Sequence, residues 1–235
     1  PWNGPRGPWR LLAIPRLHRR DLAIAGHALY STSPAALRRA KAFDTARGLP
    51  FSLHLAEHEG ELEFLATGQG AFADLLRVRL VPKDFQAPGL SPVAYADALG
   101  LLDELTLAVH CVHVDDTDMA LLKAKGVHVC LCPRSNAYIG VGRAPIERYR
   151  AAEIPLCLAT DSLASNTDLD LWNEVRFLLE NGVTHSTLGE VTAWVTRNPA
   201  RALRLDEDFG SLAPGRLAAW TVIPRDILEM LDMRA

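Results

Sequence analysis

Three histidines and two carboxylates in this chain are of the types and spacing that could act together in a hydrolysis. His27, His54, His110 and Asp161 each close a short apolar run, and Glu57 follows His54 by three residues. Two imidazoles and a carboxylate are the ligand types of a catalytic zinc or a related divalent ion. A carboxylate beside an activated water can take its proton and pass it to a leaving group.

Each of these residues also has a plainer reading. A single histidine at a strand end is more often a hydrogen-bonded structural residue. Three of them, with Thr160-Asp161 closing a fourth run, weaken that reading. His113 reads as a supporting or surface residue, His58 as solvent-facing and His128 as packed inside a strand. His18 and His185 read as surface residues. Arg134, Ser135 and Asn136 in the segment Cys132-Pro-Arg-Ser-Asn136 could hydrogen-bond a substrate. Equally, they could form a turn that bonds its own backbone. Ser162-Leu-Ala-Ser-Asn166 reads as a capping loop that also orients Asp161.

These residues need elements to hold them. Apolar runs at 21–26, 50–54, 105–109, 127–131 and 154–159 read as strands, with a further one at 217–223. Amphipathic stretches at 33–47, 115–125, 145–152, 170–180, 187–196 and 199–204 read as helices. Ser33-Pro34 offers an N-cap followed by proline, and Asp115 a second cap. Residues 57–67 read as polar helix or loop. Residues 72–103, with several prolines, read as a segment wrapping the outside, with a helix near 92–99. Strands alternating with helices imply parallel pairing through crossovers. A doubly wound sheet and a barrel both fit that pattern. In a barrel the strand ends open on one face, so the four separated residues converge there.

Composition sets the outer bounds. The 235 residues are 49% hydrophobic and 23% charged, which excludes disorder and a disulfide scaffold. A net charge of −3 gives no reason to expect nucleic acid as a partner. No apolar run reaches the ~18–20 residues that span a bilayer. Cys111, Cys130, Cys132 and Cys157 lie in apolar, strand-like stretches and read as free thiols of a reducing cytoplasm. Cys130 and Cys132 could also bind metal, as half a site.

The motifs His54-Leu-Ala-Glu57, Val109-His110-Cys-Val, Cys132-Pro-Arg-Ser-Asn136 and Thr160-Asp161-Ser-Leu-Ala-Ser-Asn166 resemble the amidohydrolase superfamily. The similarity is to the branch of metal-dependent deaminases and chlorohydrolases. Asn198-Pro-Ala-Arg-Ala-Leu and Gly210-Ser-Leu-Ala-Pro-Gly-Arg resemble the family's closing segment. The resemblance implies part of a (β/α)8 barrel, strands four to eight, over 21–205. A ragged N-terminal segment occupies 1–20, and 206–235 begins a small β-sandwich. It implies that His54 binds the metal, Glu57 shuttles protons, and His110 polarises the attacking water. Asp161 would bind the metal and contact that water. His27 falls where adenosine-type members place a substrate-contacting histidine, and Arg134, Ser135 and Asn136 would line the pocket. The implied cofactor is one divalent ion, zinc as first choice, with iron(II) or manganese binding similar groups. The implied activity is hydrolytic deamination of a purine-type or other heteroaromatic amine. Chlorohydrolase, amide or C–N hydrolysis stands as the alternative. A small heterocyclic molecule is then the partner, without nucleic acid or membrane, and a homodimer is in keeping with relatives.

The departures carry equal weight. The family's first strand ends in His-x-His, which this sequence lacks, and strands one to three are not visible in it. Ala218-Ala219-Trp220 stands where relatives usually have Ala-Asp-Leu. A complete barrel takes about 250 residues. We therefore expect the C-terminal portion of a longer enzyme, inactive and poorly soluble when alone. A barrel that has lost catalysis, and an unrelated doubly wound protein, are the competing readings.

Overall fold

The computed structural model describes residues 22–79, 81, 85–181 and 185–232, so His18 and the expected segment 1–20 lie outside it. Four parallel strands form one sheet in the order β1-β2-β3-β4. They are β1 (Phe51–Leu55), β2 (Thr106–His110), β3 (His128–Leu131) and β4 (Leu156–Leu158). Strand order follows chain order without a reversal. A doubly wound sheet has a switch point where the order turns back; a barrel does not. The sheet therefore has the topology of a barrel segment.

Alternation along the strands divides two environments. Phe51, Leu53, Leu55, Ala108, Val129, Leu131, Leu156 and Leu158 belong to the main core under the helices. The opposite face carries His54 in register with Val109, Cys130 and Cys157. The helices that connect the strands cover the core face, as in a barrel wall, whose other face turns toward the axis; on that other face Ala202 packs against Cys130 and Cys157.

The helices start where the sequence supplies acceptors for free N–H groups. Ser33 caps α1 (Pro34–Thr45) by accepting from Ala36. Asp115 and Asp118 form a reciprocal capping box on α5 (Asp116–Ala124). Also placed between strands are α2 (Glu59–Thr67), α3 (Ala71–Arg79), α4 (Pro92–Ala98), α6 (Pro133–Ile139) and α7 (Ile146–Ala151). After β4 come α8 (Leu171–Glu180), α9 (Leu188–Val195), α10 (Arg197–Ala202) and α11 (Arg225–Asp232).

Several expectations need correction. The described part of the run at 21–26 forms no strand: Gly26 donates to Ser52 at 2.7 Å, and an isolated bridge pairs Ala28, beyond the run, with His54. The N–H of Ile24 goes to the carboxylate of Asp44 instead of to a ladder, and His27, with φ +50°, turns the chain away. Gly26 itself has no room for a side chain, since a Cβ there would lie 2.6 Å from Phe51. The segment 72–79, read as irregular, is helix α3. Its Leu75 and Val78 are 68% and 78% exposed, so its apolar residues do not form one buried stripe. Cys132-Pro-Arg-Ser-Asn136 is not a loop: Pro133 opens α6. No ladder forms at 217–223 among the described residues. The segment runs exposed with no strand beside it to take its backbone groups, and the unforeseen helix α11 follows it.

Candidate active site

Strand ends in this sheet are built from left-handed backbone. His27 (φ +50°), Ala56 (+50°), His110 (+72°), Cys111 (+45°) and Asp161 (+57°) all have positive φ without being glycine. Each such residue costs roughly 1–3 kcal/mol and persists only where its surroundings fix it. Here they do: His54 N–H donates to the carbonyl of His27 at 2.7 Å, and Cys111 N–H to that of Leu55 at 3.0 Å. The N–H groups of Val112 and His113 both donate to the carbonyl of Ala56 at 2.9 Å. Each turn redirects a side chain that would otherwise follow the strict alternation of its strand.

The three imidazoles come together. His27 and His54 have ring centroids 5.2 Å apart, and His54 stacks on His110 at 5.4 Å. Nδ1 of His54 lies 2.9 Å from the carbonyl of His27, which can only accept. Nδ1 is therefore the donor, and the Nε2 lone pair is left for another partner. Nδ1 of His27 bonds the hydroxyl of Ser31, and burial, then the nearby His54, lower its pKa. His110 is fully buried and its Nδ1 lies 2.8 Å from Oδ1 of Asn136. Burial lowers the pKa of His110 against the opposing pull of Glu57 and Asn136, and its Nε2 faces Glu57.

Glu57 is 6% exposed and lies between two imidazoles. Its Oε1 is 3.7 Å from Nε2 of His110 and its Oε2 is 3.5 Å from Nε2 of His58. His58 was expected to face solvent; it is half-buried beside Glu57 and Phe72. Six rings run from His110 through His54, His27, Tyr30 and Phe72 to His58, and both ends of the series approach Glu57. His113 is tied to the carbonyl of Val141 at 2.8 Å, and His128 opens β3 half-buried. His185 is exposed.

Asp161 follows β4 and is held from α6 and from its own loop. Oδ2 accepts from the hydroxyls of Ser135 at 2.7 Å and Ser165 at 2.8 Å. Burial pushes the Asp161 carboxyl up, but these hydroxyls, His110 and the Ser162 N–H outweigh it, so the pKa lies below the usual range.

The other expected pocket residues have partners inside the fold. Arg134 pairs with both oxygens of Asp168 at 2.9 Å and also bonds Thr167. Asn136 holds His110, and Ser135 holds Asp161. Asn136 also lines a cavity of about 290 Å³, with Phe177 and Leu178, to which neither Glu57 nor His54 contributes.

Two of the buried carboxylates that escaped the sequence reading bond residues of the site or its loops. Glu174 accepts from Asn166 Nδ2 at 2.7 Å and from the Arg134 N–H at 3.0 Å. Asn166 in turn donates to the carbonyl of Thr160. Glu174 thus ties the end of β3 to the end of β4. Glu61 accepts from the N–H of Glu57. A signal existed for both: Glu174 shares a helical stripe with buried Leu178, and Glu61 with buried Phe64 and Leu65.

His54 and Asp161 each present a donor of a type that a divalent ion takes. The first presents an Nε2 lone pair fixed by its other nitrogen, and the second an ionised carboxylate. Among the described residues no group of three or more His, Cys, Asp or Glu side chains is arranged to hold a metal ion. The Cys132 thiol shares a hydrogen bond with Cys130 and is buried, both of which raise its pKa.

Residues 18–232 match the amidohydrolase family. A 5-methylthioadenosine/S-adenosylhomocysteine deaminase of Moorella thermoacetica is 33% identical over 217 residues, covering 90% of this chain and 44% of that protein. An aminodeoxyfutalosine deaminase of Deinococcus radiodurans is 34% identical over 176 residues, covering 72% of this chain and 41% of that protein. The crystal structure of an adenosine deaminase from Xanthomonas campestris, with bound zinc, superposes with a TM-score of 0.69 at 28% identity. The match covers 83% of this chain and 42% of that one. The chain thus spans less than half the length of these relatives. No helix among the described residues is long and apolar enough to cross a membrane.

Proposed function

This chain belongs to the amidohydrolase family, and from that premise we propose that the whole protein is a metal-dependent hydrolytic deaminase of a purine-type or other heteroaromatic amine. The observation that carries the reading is the carboxylate of Glu57, buried between His110 and His58 and bounded by rings. Such a group is placed to exchange protons with a bound planar base, and the deaminases named above act on adenosine-type molecules.

His54, through Nε2, and Asp161 would hold the divalent ion, with zinc as first choice. When bound, such an ion supplies the Lewis acidity that brings the pKa of water from about 15.7 toward about 7. Asp161 and His110 would orient the attacking water, His110 accepting at Nε2. Glu57 would take the water's proton at a carboxylate oxygen as the C–O bond forms. It would pass that proton to the ring nitrogen, then take the remaining proton from the newly added hydroxyl and pass it to the departing amine. The C–N bond then breaks and ammonia leaves. Burial of the four cysteines as free thiols supports a reducing compartment, the cytoplasm.

The test uses the full-length protein. Ammonia release across purine nucleosides is expected, without chloride release from chlorinated rings. Glu57→Gln should retain its metal and lose turnover by about 10²- to 10⁴-fold. Near-normal turnover in that variant would remove Glu57 from the reaction.

A further inference from the structure

Consecutive backbone N–H groups in an extended chain point in opposite directions, so they cannot share an acceptor. They converge when one residue is left-handed, and the concavity they then form binds an anion. Ala56, at φ +50°, makes such a turn directly before Glu57. One carboxyl occupies the concavity. Oε2 of Glu61 accepts the N–H of Glu57 at 3.0 Å, and the amides of Ala56 and His58 also bond this carboxyl. Glu61 is the third residue of α2, and the His58 side chain makes no capping bond of its own. The N–H of the N-cap residue His58, and those of the two residues before it, therefore depend on Glu61.

The arrangement is unfavourable for the carboxyl itself. Glu61 is fully buried, and its Oε1 has no hydrogen-bond partner. An apolar side chain would avoid that loss, but it would strand the converging amides. Phe64 and Leu65 on the same stripe show that the site is otherwise apolar.

We propose that Glu61 is a positioning residue: by gathering the amides of residues 56–58 it fixes where the Glu57 carboxylate stands relative to His110. It touches no reacting atom and acts only through Glu57. The inference rests on the reading of Glu57 as the proton carrier. Burial pushes the Glu61 carboxyl up to about 8, against the amides, so the neutral form is present at pH 7. A glutamine, neutral and of the same shape, should therefore serve.

The experiment compares Glu61→Leu, Glu61→Gln and Glu57→Gln in the full-length protein. Metal content, kcat, KM and amide hydrogen exchange over residues 56–58 are read for each. Glu61→Leu should lower kcat by about 10- to 100-fold. Its KM and metal content should stay at wild-type values, and exchange at residues 56–58 should rise. Glu61→Gln should recover most of the kcat and the protection. If the leucine variant does not fold, Glu61→Ala supplies the same comparison. Wild-type kcat and exchange in the apolar variant would overturn the inference, as would a loss that follows metal content or KM. If Glu57→Gln is inactive while Glu61→Leu keeps its kcat, only the role of Glu61 fails. If Glu57→Gln turns over normally, the reading of Glu57 fails as well.

Discussion

The hydroxyl of Ser135 donates to Oδ2 of Asp161 at 2.7 Å, joining the first turn of α6 to the residue that ends the β4 crossing. Ser165 repeats the contact at 2.8 Å, and the two hydroxyls are 2.8 Å apart. A carboxylate has about four lone-pair sites, and these donors occupy one oxygen only. They fix the rotation of the carboxylate while holding it ionised.

Replacing both serines with alanine should free that rotation. In the full-length protein, Ser135→Ala with Ser165→Ala should weaken metal binding by about 10- to 100-fold. Titration against a competing chelator measures it. Unchanged affinity would mean that the hydroxyls do not orient a ligand.

Glu174 ties two strand ends together without approaching the rings. Glu174→Leu leaves the Arg134 N–H without its acceptor and takes one of the two acceptors from Nδ2 of Asn166. The expected loss is about 1–3 kcal/mol of stability. Urea unfolding at neutral pH reads it directly, and a loss too small to resolve would show that water replaces the carboxylate.

Asp44 gives the fold a pH dependence of predictable sign. Burial pushes its carboxyl up to about 6 from 3.8, although Ile24 N–H, Lys41 and Arg47 pull the other way. Between those values the folded chain holds more protons than the unfolded one. Stability therefore falls as pH rises through the window and is flat, for this group, above it. The amplitude is roughly 1–3 kcal/mol. Asp44→Asn should remove the slope, so the variant gains on the parent between about pH 4.5 and 7. Equal urea midpoints for the pair at both pH values would contradict the assignment.

Much of the fold could be read before any coordinates. Ser33-Pro34 and Asp115 mark helix starts by local chemistry, and β1 to β4 appear as apolar runs closed by polar residues. Both signals are local, and local chemistry is enough to produce them. The run at 21–26 misled because strand pairing is not local: the Asp44 carboxylate, twenty residues along the chain, takes the N–H of Ile24. Helix α3 was missed because Leu75 and Val78 lie on its outer face, where burial leaves no pattern.

By itself the sequence determined which residue types close each strand, and therefore the kind of chemistry available: imidazoles and carboxylates of the types that a hydrolysis can use. It also carried the motifs that mark the family. Only the tertiary structure decided orientation. It turned Arg134 onto Asp168, Asn136 onto His110 and Ser135 onto Asp161, and it buried Glu61 and Glu174 behind the site. The reason is that a hydrogen bond is chosen by distance and direction in space, and residues 26 to 40 positions apart acquire these only when parallel strands align their ends.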